Sequence, residues 1–425
     1  MSRLHLAPAI LVVILSSSAT AEVQVNVRTS DAQANCAIAL DPNGGALVVW
    51  SSYYSTPGRS HDILARRLDA TGVPVGDESI VNTIDEGSQT EPAVATDPQG
   101  RLAVVWQGAG TQEDVFSRLY DSQGIPLTDD LLVNLATAGR QLYPCITTGD
   151  AGIFLVAWES RETVADQDHA FVYAHRFDLN GAGLGGDILV DPNKYDCRYP
   201  DVAMDARGNF AVVWMRDRSI HPIMARLFDP NGAPRTDVFT VNATSVASVT
   251  RPSVAMNARG YFVIAWDGDP NAAAQDDIHA RFYDPSGIPR GEPFVVNTTR
   301  AGAQQWPQAA INDANEFVIV WEHDSDDPNT ATNVFARRFD ADGQPMGEET
   351  RLNAHTLDKQ RYADVAMTAD GSFFAVWESN NQDGSGYGVF AHFEPPADPN
   401  ESMMDADAFQ AVPDESLESP GNCRP

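Results

Sequence analysis

Three observations predict an all-β, seven-bladed β-propeller: one tryptophan recurs seven times at a near-constant interval, short apolar stretches alternate with D-x-x-G turns, and the last copy lacks a strand that the first residues resemble. The tryptophans are Trp50, Trp106, Trp158, Trp214, Trp266, Trp321 and Trp377, spaced 52 to 56 residues apart, and of the eight in the chain only Trp306 lies off this grid. Twenty-four residues before six of them stands an Asn preceded by Val or Leu (Asn26, Asn82, Asn134, Asn242, Asn297, Asn353), while the copy of Trp214 carries Val190-Asp191 near that point. Fourteen residues before five of them stands a proline.

The copy around Trp106 shows how each unit is built. Apolar stretches run over Pro92 to Thr96, Leu102 to Trp106, Val115 to Tyr120 and Leu131 to Val133. Asp97-Pro98-Gln99-Gly100 and Asp121-Ser122-Gln123-Gly124 follow the first and third, with Gly supplying positive φ and Asp capping the turn. No helical period intervenes. Val104-Val105-Trp106 is continuously apolar, so this strand is predicted to be covered on both faces. Four antiparallel strands per copy, covered on both sides, fit blades stacked radially. The last copy ends at Glu394 after three strands, and Glu22 to Val27 matches a fourth strand ending in Val-Asn. The N-terminal strand is therefore expected to complete blade seven and close the ring, which spares the sheets two unpaired edges.

The ends read differently. Residues 1–21 combine Arg3, a short apolar run from Ala7 to Leu15 and Ala19-Thr20-Ala21, the pattern of a secretory signal cut before Glu22. The mature chain is expected to be secreted or periplasmic, with the propeller over residues 22–394 and an acidic, flexible tail over 395–425. The net charge of −31 argues against nucleic acid as a partner, and no later stretch is long and apolar enough to span a bilayer as a helix.

The unit quoted from Pro252-Ser253-Val254-Ala255 to Trp266, Ala280-Arg281-Phe282-Tyr283-Asp284 to Pro289, and Val296-Asn297 resembles the repeats of secreted bacterial β-propeller proteins, a family mostly of unassigned function. The resemblance covers Glu22 to Glu394 and implies fold and compartment without naming a ligand.

Candidate site residues come from positions that face the channel mouth in such a fold. Seventeen residues before the repeat tryptophan stand Gln33, Gln89, Gln141, Gln304 and Gln360, either a ring of amides for a polar ligand or caps for their own loops; Cys197 and Val249 replace them in two copies. Two residues further on stand Asn35, Glu91, Tyr143, Tyr199, Arg251, Trp306 and Tyr362, an aromatic-rich collar that either binds a ligand through its ring faces or plugs the channel. The acidic loops after the tryptophans contain Asp267, Asp269, Asp324 and Asp326, oxygen ligands suited to Ca²⁺ or else a solvated acidic surface. An EF-hand is excluded, because Ala272 and Ile278 stand where its Gly and closing Glu belong. The histidines fall in no metal-binding spacing and read as structural. The arginine of the third strand (Arg66, Arg118, Arg226, Arg281, Arg337) is expected to pair with a carboxylate between blades. Among the four cysteines, the placement of Cys145 and Cys197 on neighbouring blades favours a bond between them, which leaves Cys36 for Cys423; free, buried thiols are the alternative.

No catalytic motif accompanies the blade motifs. The leading function is thus a secreted, non-catalytic propeller that binds a ligand, glycan or protein partner at its channel face. A carbohydrate-active hydrolase or lyase using Glu159, Glu322 and Glu378 is the alternative, and a surface or matrix scaffold is the third reading.

Overall fold

The computed structural model describes residues 22–54, 60–109, 113–150, 152–164, 167–192, 196–217, 221–242, 251–268, 275–325 and 331–397. The predicted signal, residues 398–425 of the tail with Cys423, and Asp269 and Asp326 lie outside the described residues. The chain forms seven four-stranded antiparallel sheets arranged as a seven-bladed β-propeller, with no helix among the described residues. Blade one runs from Gln33–Leu40 through Ala46–Tyr53 and His61–Leu68 to Pro74–Ile80, and five further blades repeat that order.

Blade seven has three strands of its own, Gln360–Met367, Phe373–Asn380 and Tyr387–Glu394, and takes Val23–Gln24 as the fourth, with Val23 opposite Ala391 and Gln24 opposite Phe390. Two ladder residues are a weak joint, so other contacts hold it. Val25 is fully buried between blades seven and one, among Phe374, Val376, Ile38 and Trp50, a burial worth about 1.5–3 kcal/mol. The Glu22 carboxylate accepts the backbone N–H groups of Ala354 (2.6 Å) and His355 (3.2 Å) in blade six, and Gln382 Nε2 donates to it at 2.7 Å.

The core is divided among the seven blade interfaces, each holding one apolar cluster drawn from two adjacent sheets. The second strands carry the repeat tryptophans, all at most 2% exposed, and Ala46–Tyr53 is buried at every position but its last, as a strand covered on both faces requires. The D-x-x-G turns behave as read: Asp97 Oδ1 accepts the N–H groups of Gln99 and Arg101, each at 2.9 Å, and Gly100 sits at φ 82°. In six blades the repeat Asn closes the outer strand, Asn82 Oδ1 accepting the Ile63 N–H at 2.7 Å while Asn297 does the same for Ile278 at 2.8 Å.

The third-strand arginines require a correction, since backbone carbonyls rather than carboxylates are their main partners. Arg66, Arg118, Arg226 and Arg337 each donate through Nη1 to the carbonyl of the Val that precedes a repeat Asn or Asp on the preceding blade: Val25 (2.7 Å), Val81 (2.7 Å), Val190 (2.9 Å) and Val296 (2.8 Å). Only Arg281 has an acid nearby, Glu292 at 4.0 Å. An always-charged donor thereby satisfies an edge carbonyl and fastens blade to blade. The histidines at or near this position are also partnered: His175 Nδ1 lies 3.0 Å from Asp187, His392 Nε2 lies 2.7 Å from Glu394, and His279 stacks on Trp266.

Candidate binding site at the channel mouth

The inner strands line the channel, and six of them break register at one place: Ala34/Ala37, Thr90/Ala93, Leu142/Cys145, Arg198/Asp201, Gln305/Gln308 and Arg361/Asp364. Within each break one residue takes the left-handed region: Asn35 (φ 55°), Glu91 (51°), Tyr143 (52°), Tyr199 (51°), Trp306 (57°) and Tyr362 (51°). Such a backbone costs a bulky L-residue about 1–3 kcal/mol and needs an external tether. For all but Glu91 the preceding blade supplies it through the residue after its tryptophan. Glu322 Oε1 accepts the Tyr362 N–H at 2.6 Å, Glu159 Oε2 that of Tyr199 at 3.2 Å, and Asp267 Oδ2 that of Trp306 at 3.4 Å; Glu378 accepts that of Asn35.

This places the three acids considered for hydrolysis. Glu159 and Glu378 are fully buried, Glu322 is buried, and each holds a collar residue rather than standing free in the channel. Burial pushes Glu322 up to about 8, countered by the Tyr362 N–H and reinforced by the charge of Glu378. Burial likewise pushes Glu378 up to about 7 against the pull of Arg361, whose Nε donates to it at 3.0 Å.

The bulge turns the collar side chains into the channel mouth, where they are half-buried around a cavity of about 290 Å³. Arg251 is at its centre, with its guanidinium carbon 4.8 Å from the ring centroid of Tyr143, 5.1 Å from Tyr199 and 4.8 Å from Trp306. Tyr143 and Tyr199 are tilted against each other with ring centroids 5.3 Å apart, and Trp306 meets Tyr362 edge-on at 5.0 Å. Arg361 extends the cluster, lying 4.8 Å over Tyr362 and 3.8 Å over Tyr387. Neither Arg361 nor Tyr387 was marked by the sequence, because nothing in their spacing brings a strand-one residue onto the start of strand three. Deeper in the channel, Asp201 and Asp364 are each raised to about 6 by burial and accept the backbone N–H of the next blade, Val254 at 2.8 Å and Ile38 at 2.9 Å.

The glutamines follow the capping alternative and form no amide ring for a ligand. Gln33, Gln89, Gln141, Gln304 and Gln360 are buried, and their Oε1 atoms accept the indole N–H of Trp50, Trp106, Trp158, Trp321 and Trp377 at 2.8–3.1 Å. Their amide nitrogens donate to the carbonyl three residues back, as Gln89 does to Glu86 at 3.0 Å. No amide remains for a ligand. The expected bond between Cys145 and Cys197 is likewise absent: both are free thiols, as is Cys36. Cys197 takes the glutamine slot and turns to Asp191 Oδ2 at 3.5 Å, whereas Cys145 follows the bulge and lies 3.5 Å from the Ala157 carbonyl. Of the acids considered for Ca²⁺, Asp267 is buried beneath the collar and Asp324 is exposed on the next blade, and no group of three His, Cys, Asp or Glu able to hold a metal occurs among the described residues.

No family model and no curated protein matches the chain. Solved structures do. An α-L-arabinanase of Penicillium chrysogenum complexed with arabinobiose superposes with a TM-score of 0.51 at 12% identity, covering 89% of this chain and 98% of that one. A protein of unknown function from Dyadobacter fermentans gives 0.52 at 12% identity, with 89% and 98% covered. An ulvan lyase of polysaccharide lyase family 25, bound to -[GlcA(1-4)Rha3S]-, gives 0.56 at 8% identity, with 88% and 96% covered. At these identities the likeness establishes the propeller fold this chain shares with them.

Proposed function

We propose that this chain is a secreted, non-catalytic propeller of the bacterial repeat type that captures a glycan ligand on its channel face. The observation that carries the reading is the collar: six of seven blades hold a residue in a strained left-handed conformation at one ring position, and four of the seven collar residues are aromatic. Half-buried aromatic faces beside polar edges suit sugar rings, and two of the matched propellers were solved with saccharides bound, which supports a glycan over a protein partner. The buried acids, each bound to backbone, favour binding over hydrolysis. A glycan array followed by calorimetry on the positive saccharide tests the reading. The double variant Tyr199→Ala/Trp306→Ala should weaken binding by about tenfold or more while melting as one transition. A saccharide that binds wild type and variant equally would contradict it.

A further inference from the structure

Arg251 is the one cation of the collar, and its mounting is unusual. Three ring faces from blades three, four and six hold the guanidinium at 4.8–5.1 Å, fixing its plane without consuming any N–H group. Glu91 is its nearest acid, yet Oε2 lies 3.9 Å from Nη1, too far for a hydrogen bond. The other Glu91 oxygen accepts Asn35 Nδ2 at 3.2 Å instead. Arg251 Nε is buried with no hydrogen-bond partner, although the side chain as a whole remains 30% exposed to the channel mouth.

Arg361, next to the collar residue Tyr362, supplies the comparison. Its guanidinium is also stacked, over Tyr362 and Tyr387, but its Nε donates to the Glu378 carboxylate at 3.0 Å. A stacked arginine presents its N–H groups edgewise to the oxygens of a carboxylate or sulfate. The protein engages one of them at Arg361, through Nε and Glu378, whereas no acid among the described residues lies within hydrogen-bond distance of Arg251. A side chain serving only to plug the channel would gain from a close acid there, since an unmade hydrogen bond at a buried donor is costly.

Resting on the channel-face reading above, we propose that Arg251 recognises the anionic group, carboxylate or sulfate, of an acidic saccharide lying over the collar. Glu91 and Asn35 flank the bound group, and the aromatic mount keeps the guanidinium from following it into solvent.

The test is calorimetry on the full mature chain with three probes of equal length: tetragalacturonate, its neutral methyl ester, and a sulfated galactan tetrasaccharide. Wild type should bind at least one acidic probe about tenfold or more tightly than the ester. Arg251→Gln should bring the acidic probe to the level of the ester and leave the ester unchanged, and Arg251→Lys, which keeps the charge without the fork, should fall between. Near-UV circular dichroism of each variant checks that the collar is intact. Preference for the uronate or for the sulfate identifies which oxyanion Arg251 takes. Equal binding of acid and ester, with no effect of Arg251→Gln, overturns the assignment. In that case a loss of ester binding in Tyr199→Ala/Trp306→Ala leaves the channel-face reading standing. Absence of binding to all three probes overturns the assignment as well.

Discussion

Cys197 stands where five other blades place a glutamine, and the Trp214 indole N–H of the same blade is buried without a hydrogen-bond acceptor. Blade four therefore lacks a bond its sister blades make. Cys197→Gln should supply the acceptor and raise stability by about 1 kcal/mol, whereas Gln141→Leu should leave the Trp158 indole unpaired and lower it by about 1–3 kcal/mol. Thermal melts of the two variants beside wild type measure both.

The bond between Gln and Trp also explains why the collar was legible while the glutamines could be read either as a channel ring or as loop caps. The spacing of the tryptophans reveals register because each must be buried, and that alone yields seven blades and the closing role of Glu22 to Val27. Direction is harder to read. Gln360 and Tyr362 are two residues apart and would share a face of a regular strand, but the left-handed turn at Tyr362 sends one side chain into the blade and the other into the channel. Nothing in the sequence marks that bulge except the proline that usually follows it. The arginine partners were misjudged for a related reason, because backbone carbonyls carry no signature among side chains.

Closure by the N-terminal strand has a direct consequence. Deleting residues 22–27 removes Val25 from its cluster and strips the Tyr387–Glu394 strand of its neighbour. The expected outcome is a lower melting temperature together with self-association through the exposed edge, visible by size-exclusion chromatography. Glu22→Ala, which loses the acceptor for Ala354, His355 and Gln382 but keeps the strand, should cost about 1 kcal/mol and remain monodisperse if the wild type is.

Stability should fall as pH rises from about 4 toward about 8. Asp201 and Asp364 titrate near 6, Glu378 near 7 and Glu322 near 8, all raised chiefly by burial. A carboxyl that holds its proton more tightly when folded gives its full contribution below its unfolded value, about 4, and loses it as pH rises through the folded value. Asp69, Asp178 and Asp370 are lowered by hydrogen bonds and act oppositely, their contribution fading as pH falls below about 4. The melting temperature should therefore peak near about pH 4 and decline from there until about pH 8. Glu322→Gln keeps an acceptor for the Tyr362 N–H and should flatten the upper part of that decline. Asp364→Asn should flatten the lower part.

The thiols should be inert in the native state. Cys36 and Cys197 are buried, Cys145 is half-buried in the channel wall, and burial raises all three well above the ordinary thiol value. Iodoacetamide at about pH 8 should leave them unlabelled until denaturant is added, as read by peptide mass spectrometry. Rapid native labelling, or a peptide linking Cys145 to Cys197, would contradict this arrangement.

The location of the ligand is decided most directly by hydrogen exchange, comparing the protein alone with the protein saturated by its tightest saccharide. Slowed exchange should concentrate in peptides of the inner strands, around residues 141–146, 197–202, 304–309 and 360–365, where the collar leaves the sheet ladder. Protection confined instead to the outer groove between Phe282, Phe294 and Phe339, with the inner strands unchanged, would contradict a binding site at the channel mouth.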